Sequence, residues 1–289
     1  LEKEGINHRI DMHIKKNSPK GAAIDGIRIK KSSELYGLLH VISFSPEDLS
    51  IIKNGPAERR RFMDMELCQL DKLYINCLSN YNKILFQRNN LLKQIPYNKE
   101  LINTLEVWNS QLASYGSQII HTRQMFLDEL AKIAEDKHEL ITDGKEKLKV
   151  IYKPNCEKER LLEELSNSTE KDIEAKTTTK GPHRDDITYE INGVNARIYG
   201  SQGQQRSVAL SLKLSEIELV KRKIKDTPVL LLDDVLSELD RSRQTKLLSE
   251  IGSIQTFITC TGLEEFVETR KESNSIFRVI NGKVDLTTE

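Results

Sequence analysis

The segment from residue 198 to residue 240 constrains the fold more than any other part of the chain. A polar, glycine-bearing run at 198–207 opens an apolar-striped helix, and an apolar strand then ends in Asp233 and Asp234. A helix start offers free backbone N–H groups to an anion. The carboxyl edge of a sheet is where carboxylates can hold a metal ion beside that anion. The order and spacing of the two halves predict a nucleoside triphosphate site.

Each half of this site has an ordinary alternative. Ser201 can cap the helix and Gly203 can let an anion approach the backbone, but capping alone would also explain them. Asp233 is predicted to hold Mg²⁺ through water and Asp234 to orient or activate the attacking water, unless both simply end a strand. Residues 237–240 bend the chain near the site, and Asp240 could instead be only the N-cap of the next helix.

Composition limits the class of protein. The 289 residues carry 44 basic and 44 acidic side chains and only 6% aromatics, which suits a soluble protein rich in exposed helix. The net charge of zero argues against a nucleic-acid binder that is basic overall, so any DNA contacts must come from local basic patches. No apolar run approaches a bilayer span and no secretory leader is visible. The four scattered cysteines indicate a reducing cytoplasm and no structural zinc.

A long helical hairpin is predicted in the middle of the chain. Apolar residues recur at spacings of three and four from 67 to 84 and again from 105 to 133, on either side of a proline loop at 94–98. This pattern predicts two antiparallel helices. The narrow stripe favours a projecting arm, although two helices packed on a globular core are the alternative.

Strands and shorter helices surround this hairpin. Strands are predicted at 8–15, 23–30, 40–44, 147–152, 186–191, 194–199, 228–232 and 255–260. Helices are predicted from 46, from 57, and at 157–176, 204–223, 240–250 and 263–270, with turns at 25–26, 192–193 and 281–282. The prediction is one α/β head, 1–55 plus 180–289, interrupted by a helical arm domain at 56–179.

Two basic groups are candidates for contact with DNA. Arg59, Arg60 and Arg61 begin the predicted arm and could bind phosphates, or they could form a solvated face. His183 and Arg184 precede two aspartates. They lie either near nucleotide, DNA or a dimer interface, or in an ion-pair network with Asp185 and Asp186.

Several separate segments make the chain resemble the RecF family of recombination mediator ATPases, which is related to SMC-type and other ABC ATPase heads. The matching segments are 44–49, 55–64, 81–89, 181–186, 201–206 and 230–240. The resemblance implies an ABC-type ATPase head with an inserted helical arm. It also implies a protein that binds DNA and ATP, dimerises on ATP, hydrolyses it slowly, and loads a recombinase at single-strand gaps with RecO and RecR.

The same resemblance assigns roles to individual residues. The ABC signature, which engages the γ-phosphate of ATP held by the opposing subunit, would comprise Ser201, Gln202, Gly203 and Gln204. Asp233 and Asp234 would be the Walker B pair, and the D-loop would run from Ser237 to Asp240.

Three departures from the pattern qualify these roles. No Gly-x-x-x-x-Gly-Lys-Thr/Ser segment occurs, so we expect the phosphate loop upstream of Leu1 and weak ATP binding by this chain alone. Asp234 stands where ABC heads commonly have glutamate, which suits slow hydrolysis. Thr259-Cys-Thr261 replaces a switch histidine, and either threonine could donate a hydrogen bond to the γ-phosphate.

Two other functions fit parts of the pattern. A transporter-type ABC subunit would share the nucleotide motifs, but the helical hairpin argues against it. A non-catalytic repair scaffold would retain the carboxylates as relics. No single-strand stacking platform of aromatics is visible, which favours duplex or junction DNA.

Overall fold

The computed structural model describes residues 1–3, 5–18, 20–261 and 275–286, and the predicted helix 263–270 lies outside them. The strands are β1 Glu2–Lys3, β2 Ile6–Asn7, β3 Ile10–His13, β4 Gly21–Ile24, β5 Ile27–Arg28, β6 Val41–Phe44, β7 Leu148–Lys153, β8 Asp186–Ile191, β9 Val194–Asn195, β10 Val229–Asp233, β11 Thr256–Thr259, β12 Phe277–Ile280 and β13 Lys283–Leu286. The helices are α1 Ser50–Lys53, α2 Pro56–Leu70, α3 Lys72–Gln94, α4 Leu105–Thr142, α5 Leu161–Asn167, α6 Thr169–Ala175, α7 Ala196–Tyr199, α8 Gln202–Ile224 and α9 Arg241–Glu250.

A three-stranded parallel sheet carries the predicted carboxylates. Its order is β11-β10-β6, with Asp233 opposite Thr259 and Leu232 opposite Phe44. Alternate residues of β6 and β10 point into one core with α8 and α9, and this core includes Leu230 and Leu232. The alternation of side chains along the strand therefore buries these leucines. Because the three strands are parallel, their carboxyl ends lie at one edge of the sheet.

The helical hairpin is confirmed, but it does not stand clear of the head. Pairs such as Arg88 with Asn109 and Cys77 with Gln118 show that α3 and α4 run antiparallel. Helix α4 also packs on α8 and on the sheet β7-β8-β9, and one continuous core joins these elements. Its buried positions extend to Thr142, the last residue of the helix. Helix α4 is buried on more than one side, which a single narrow stripe does not indicate.

Two strand predictions need correction. The segment 23–30 is not one strand but the end of β4 and all of β5, joined by the predicted turn at Asp25-Gly26. The predicted strand 194–199 ends at residue 195, and 196–199 is the helical turn α7. The Asn195 side chain accepts a hydrogen bond from the Arg197 N–H and so caps that turn. This local side-chain bond outweighs the β propensity of the apolar residues that follow.

A buried ion pair holds the outer part of the hairpin together. Arg88 and Asp172 are both fully inaccessible, and Arg88 Nη1 lies 2.7 Å from Asp172 Oδ2. Arg88 also donates to the Asn109 side chain and to the Thr178 hydroxyl. Helices α3, α4 and α6 and the loop after α6 therefore meet at one guanidinium group.

Candidate nucleotide site

The start of α8 is an exposed helix terminus with a complete capping box. The Ser201 hydroxyl accepts from the Gln204 N–H at 3.2 Å, and the Gln204 side-chain oxygen accepts from the Ser201 N–H at 2.9 Å. The capping that the sequence predicted for Ser201 is confirmed. These bonds use the N–H groups of Ser201 and Gln204, and those of Gln202 and Gly203 remain at the positive end of the helix dipole.

Two glycines near this helix start have different roles. A side chain at Gly200 would collide with the carbonyl oxygen of Ala196, so the fold itself requires glycine there. A Cβ at Gly203 would meet nothing closer than the Ser201 hydroxyl, at 4.0 Å. The described residues would therefore leave room for a larger side chain at position 203. Glycine at such a position is expected where an external group approaches the backbone closely.

The paired aspartates lie at the carboxyl edge of the parallel sheet, as predicted. The Thr259 hydroxyl donates to Asp233 Oδ1 at 2.5 Å and accepts from the Asp234 N–H at 3.1 Å. Asp234 has φ 52°, in the left-handed region, which aspartate tolerates better than most residues. The single hydroxyl hydrogen of Thr259 is used by Asp233, so Thr259 is not free to donate to a γ-phosphate in this conformation.

The carboxylates of Asp233 and Asp234 have the chemistry to bind a magnesium ion together with a phosphate group. Asp234 Oδ1 is buried and has no hydrogen-bond partner among the described residues, whereas Asp233 faces solvent. In the described part of the chain, no cluster of three or more His, Cys, Asp or Glu side chains could hold a metal. Magnesium commonly takes one or two carboxylates and completes its shell with phosphate and water, so this pair suits Mg²⁺ bound with a nucleotide.

The segment 237–240 connects the carboxylates to α8. The Ser237 hydroxyl donates to the Asp234 carbonyl at 2.7 Å. Asp240 is the N-cap of α9, accepting from the Arg243 N–H at 3.0 Å, and this bond lowers the pKa of Asp240. The predicted capping role of Asp240 is therefore present.

Two arginines that sequence reasoning missed join this segment to the start of α8. Arg206 forms an ion pair with Glu238. Arg243 pairs with Asp240 and donates to the Ser207 hydroxyl at 2.9 Å. The Arg206–Glu238 and Arg243–Ser207 contacts span 32 and 36 positions, so a single sequence gives no signal for them, whereas the Asp240–Arg243 pair is local, at spacing i,i+3.

The three arginines at the start of α2 have different environments. Arg59 is buried, and its guanidinium lies 2.6 Å from Asp186 Oδ1. This burial removes Arg59 from the predicted DNA contacts. Arg60 donates to the Asp185 carbonyl at 2.8 Å and lines a surface cleft of about 400 Å³ together with Arg61 and Tyr36. The side chain of Arg61 is 72% exposed.

His183 and Arg184 are not paired with the two aspartates that follow them. His183 contacts the Tyr81 hydroxyl at 2.7 Å and the Thr178 carbonyl at 2.9 Å. Arg184 donates to the same carbonyl. The predicted ion-pair network exists, but its cations come from distant positions.

Those cations are Arg123 and Arg59. Arg123 lies 2.9 Å from Asp185 and 2.8 Å from Asp64, and Arg59 pairs with Asp186. Arginine forms bidentate pairs with carboxylates, which histidine does not. Helices α2 and α4 pack near this turn and provide the two arginines. The alternative network of His183 and Arg184 with Asp185 and Asp186 is therefore wrong in its partners.

The buried ring of His183 predicts an acid sensitivity. Burial lowers the pKa of His183 to about 4, below the value of about 6.5 expected in the unfolded chain. The unfolded state then binds more protons, so stability falls as the pH drops from 6.5 to 4, by up to about 3 kcal/mol. Urea unfolding at pH 7 and pH 4.5 should show a smaller loss for His183→Gln than for wild type. His121→Gln, at an exposed position, should lose as much stability as wild type; equal losses in all three proteins would contradict the prediction.

Comparison with known proteins identifies the family. The chain is 58% identical over 285 residues to the DNA replication and repair protein RecF of Lachnoclostridium phytofermentans, covering 99% of the chain and 79% of the relative. It is 57% identical to RecF of Lachnospira eligens over 98% of the chain and 78% of the relative. The chain belongs to the RecF family of DNA replication and repair proteins.

A solved RecF structure extends this result to the fold. The recombination mediator protein RecF, solved as RecF-ATPrS in the RecFOR pathway, superposes with a TM-score of 0.89 at 35% identity, over 100% of this chain and 78% of that one. The predicted α/β head with an inserted helical hairpin is thereby confirmed. No family model matches the chain. In the described segments, none of the helices has the length and apolar character needed to cross a bilayer.

RecF membership also bears on the two alternative functions. The transporter-type subunit is set aside, because the relatives are repair proteins over nearly the whole chain. The non-catalytic scaffold is still open, since identity alone does not show whether Asp233 and Asp234 support hydrolysis.

Proposed function

We propose that this RecF-family chain is part of an ATP-binding, DNA-binding repair protein in which two copies close on ATP. The observation that carries the proposal is Asp234 Oδ1, a buried carboxylate oxygen without a partner among the described residues, at the carboxyl edge of a parallel sheet. Such an oxygen is costly unless a cation or ordered water satisfies it. A related solved structure is named RecF-ATP, which supports ATP as the nucleotide.

The chain supplies two faces to such a site. Asp233 would hold Mg²⁺, which when bound neutralises phosphate charge, and Asp234 would orient the attacking water. Ser201, Gln202, Gly203 and Gln204 would face the γ-phosphate of ATP held by the opposing copy. Their N–H groups and open approach at Gly203 suit an anion. Residues Ser237 and Asp240 would position the carboxylate turn against α8.

DNA contact is assigned to cations near the base of the hairpin, of which Arg60 is partly exposed and Arg61 and Arg184 are exposed. Arg60 and Arg61 line the same cleft, and Arg184 is exposed on the neighbouring turn. We place duplex or junction DNA at gaps against these residues, with RecO and RecR as partners in recombinase loading. A related structure belongs to the RecFOR pathway, which supports these partners. The aspartate at position 234, shorter than glutamate, suits slow hydrolysis.

The proposal predicts that dimerisation depends on the nucleotide and on charge at position 201. Full-length protein should dimerise with ATP and much less with ADP or without nucleotide, as measured by analytical ultracentrifugation. Ser201→Asp keeps an N-cap oxygen, but its carboxylate repels a triphosphate, so we expect ATP-dependent dimer affinity to fall about 10- to 100-fold.

Ser201→Asn is the matched control for this experiment. Asparagine also caps helices well and adds no charge, so this variant should dimerise nearly as wild type does. Equal dimerisation of wild type with ATP, with ADP and without nucleotide would refute the proposed function.

A further inference from the structure

The end of the long hairpin helix is hydrogen-bonded to the start of α8. Helix α4 finishes at Thr142, the chain turns at Asp143 with φ 54°, and Glu146 follows. Glu146 Oε1 accepts from the Gln204 side-chain amide at 3.1 Å, and its Oε2 lies 3.1 Å from His138 Nε2. His138 belongs to α4, so one carboxylate connects the hairpin to the capping box of α8.

This carboxylate determines how the Gln204 amide is oriented. The amide oxygen accepts from the Ser201 N–H, and the amide nitrogen donates to Glu146. An ionised carboxylate only accepts hydrogen bonds. Rotating the amide by 180° would put its oxygen against Glu146 and its NH₂ group against the Ser201 N–H. Glu146 therefore selects the one orientation that closes the capping box.

His138 in turn fixes Glu146. Its ring is fully inaccessible, and Nδ1 lies 2.9 Å from the Ser211 hydroxyl. Burial lowers the pKa of His138 against the opposing effect of Glu146, so the ring is neutral near pH 7. A neutral ring with its hydrogen on Nε2 donates to Glu146. The single Ser211 hydroxyl hydrogen, which lies toward the Ser207 carbonyl at 2.7 Å, then has to turn to His138 Nδ1. Helix α4 is thus attached to α8 at Ser211 and at Gln204.

The same end of the hairpin is attached to α9. Lys246 Nζ lies 2.6 Å from Asp143 Oδ1 and 3.1 Å from the Ile141 carbonyl. Lys137 Nζ lies 2.5 Å from Glu250 Oε2. Because α9 begins at the segment 237–240, the last turns of α4 contact the elements on both sides of the proposed nucleotide site.

We propose that Glu146, held by His138, is a positioning residue that sets the Ser201–Gln204 helix start and couples the hairpin to nucleotide-dependent dimerisation. This inference rests on the proposed function. Glu146 would act through Gln204, to which it is hydrogen-bonded, and not by contact with the nucleotide. A movement of α4 relative to α8 would break the Glu146–Gln204 bond and release the amide that closes the capping box.

The test compares Glu146→Ala and Glu146→Gln in the full-length protein. Alanine removes the acceptor, and we expect ATP-dependent dimer affinity to fall about tenfold, with ATP affinity of the monomer unchanged. Amide hydrogen exchange at residues 201–204 should become faster in the same variant. Glutamine can accept from Gln204 with its oxygen and donate to the other tautomer of His138, so it should dimerise within about twofold of wild type.

The outcomes separate this inference from the proposed function. Absence of ATP-dependent dimers in wild type refutes the function itself. Wild-type dimers with an unaffected Glu146→Ala variant, or a Glu146→Gln variant as weak as alanine, overturn the positioning role alone. Glu135→Ala, at an exposed position on α4, is the matched control and should match wild type. Glu146→Asp, which shortens the reach but keeps the charge, should give an intermediate affinity, and it replaces the alanine variant if that variant does not fold.

Discussion

Asp234→Asn in the full-length protein is expected to lower the rate of ATP hydrolysis by about 100-fold or more, the range typical for loss of a general base. Asparagine keeps the size of the side chain and tolerates the left-handed backbone at φ 52°. The fold and ATP-dependent dimerisation should therefore persist while the residue that orients water loses its charge. Single-turnover hydrolysis of ATP, measured with protein in excess, reports this step directly.

Two further variants make the hydrolysis experiment decisive. Asp226→Asn changes an exposed aspartate just beyond α8 and should hydrolyse ATP as wild type does. Asp233→Asn should weaken the dependence of ATP binding on Mg²⁺, since Asp233 is the proposed metal ligand. Unchanged hydrolysis in Asp234→Asn would favour the scaffold alternative, in which the carboxylates have no catalytic role.

The second large effect concerns stability. Arg88→Ala is expected to reduce the free energy of unfolding by about 3–5 kcal/mol, the range measured when one partner of a buried ion pair is removed. Asp172 is fully inaccessible, so the variant leaves a carboxylate without its cation. Urea unfolding of purified wild type and variant at pH 7 provides the measurement.

A surface pair and a double variant provide the comparison for Arg88. Arg222→Ala breaks a largely exposed pair with Glu218 and should cost less than about 1 kcal/mol. Replacing both members, as Arg88→Met with Asp172→Leu, should recover part of the loss, because no uncompensated charge is left. A loss below about 1 kcal/mol for Arg88→Ala would mean that this ion pair is not needed for the hairpin to pack.

Much of the site could be predicted because its signals are local. Ser201 and Gln204 form a capping box with the spacing that the sequence shows, and the apolar run before Asp233 is a strand whose partners bury alternate residues. These patterns depend on residues within one turn or one strand. They can therefore be recognised without knowledge of how the elements pack together.

Most of the interactions that sequence reasoning missed are long-range. Arg123 reaches Asp64 and Asp185, and Glu146 reaches Gln204, across 58 or more positions in the chain. Arg59 was predicted to be a surface cation for the same reason: its partner Asp186 lies 127 positions away. A single sequence shows that such charges exist but not which of them meet.

The length of α4 has a mechanical consequence. From Leu105 to His138 the helix is continuous, and at about 1.5 Å per residue this stretch is about 50 Å long. A rotation of only about 5° about the His138 end would displace the Leu105 end by roughly 4 Å at that length. Under the proposed coupling, a partner bound far out on the hairpin would alter ATP-dependent dimerisation by a small tilt, and dimerisation would in the same way move the tip.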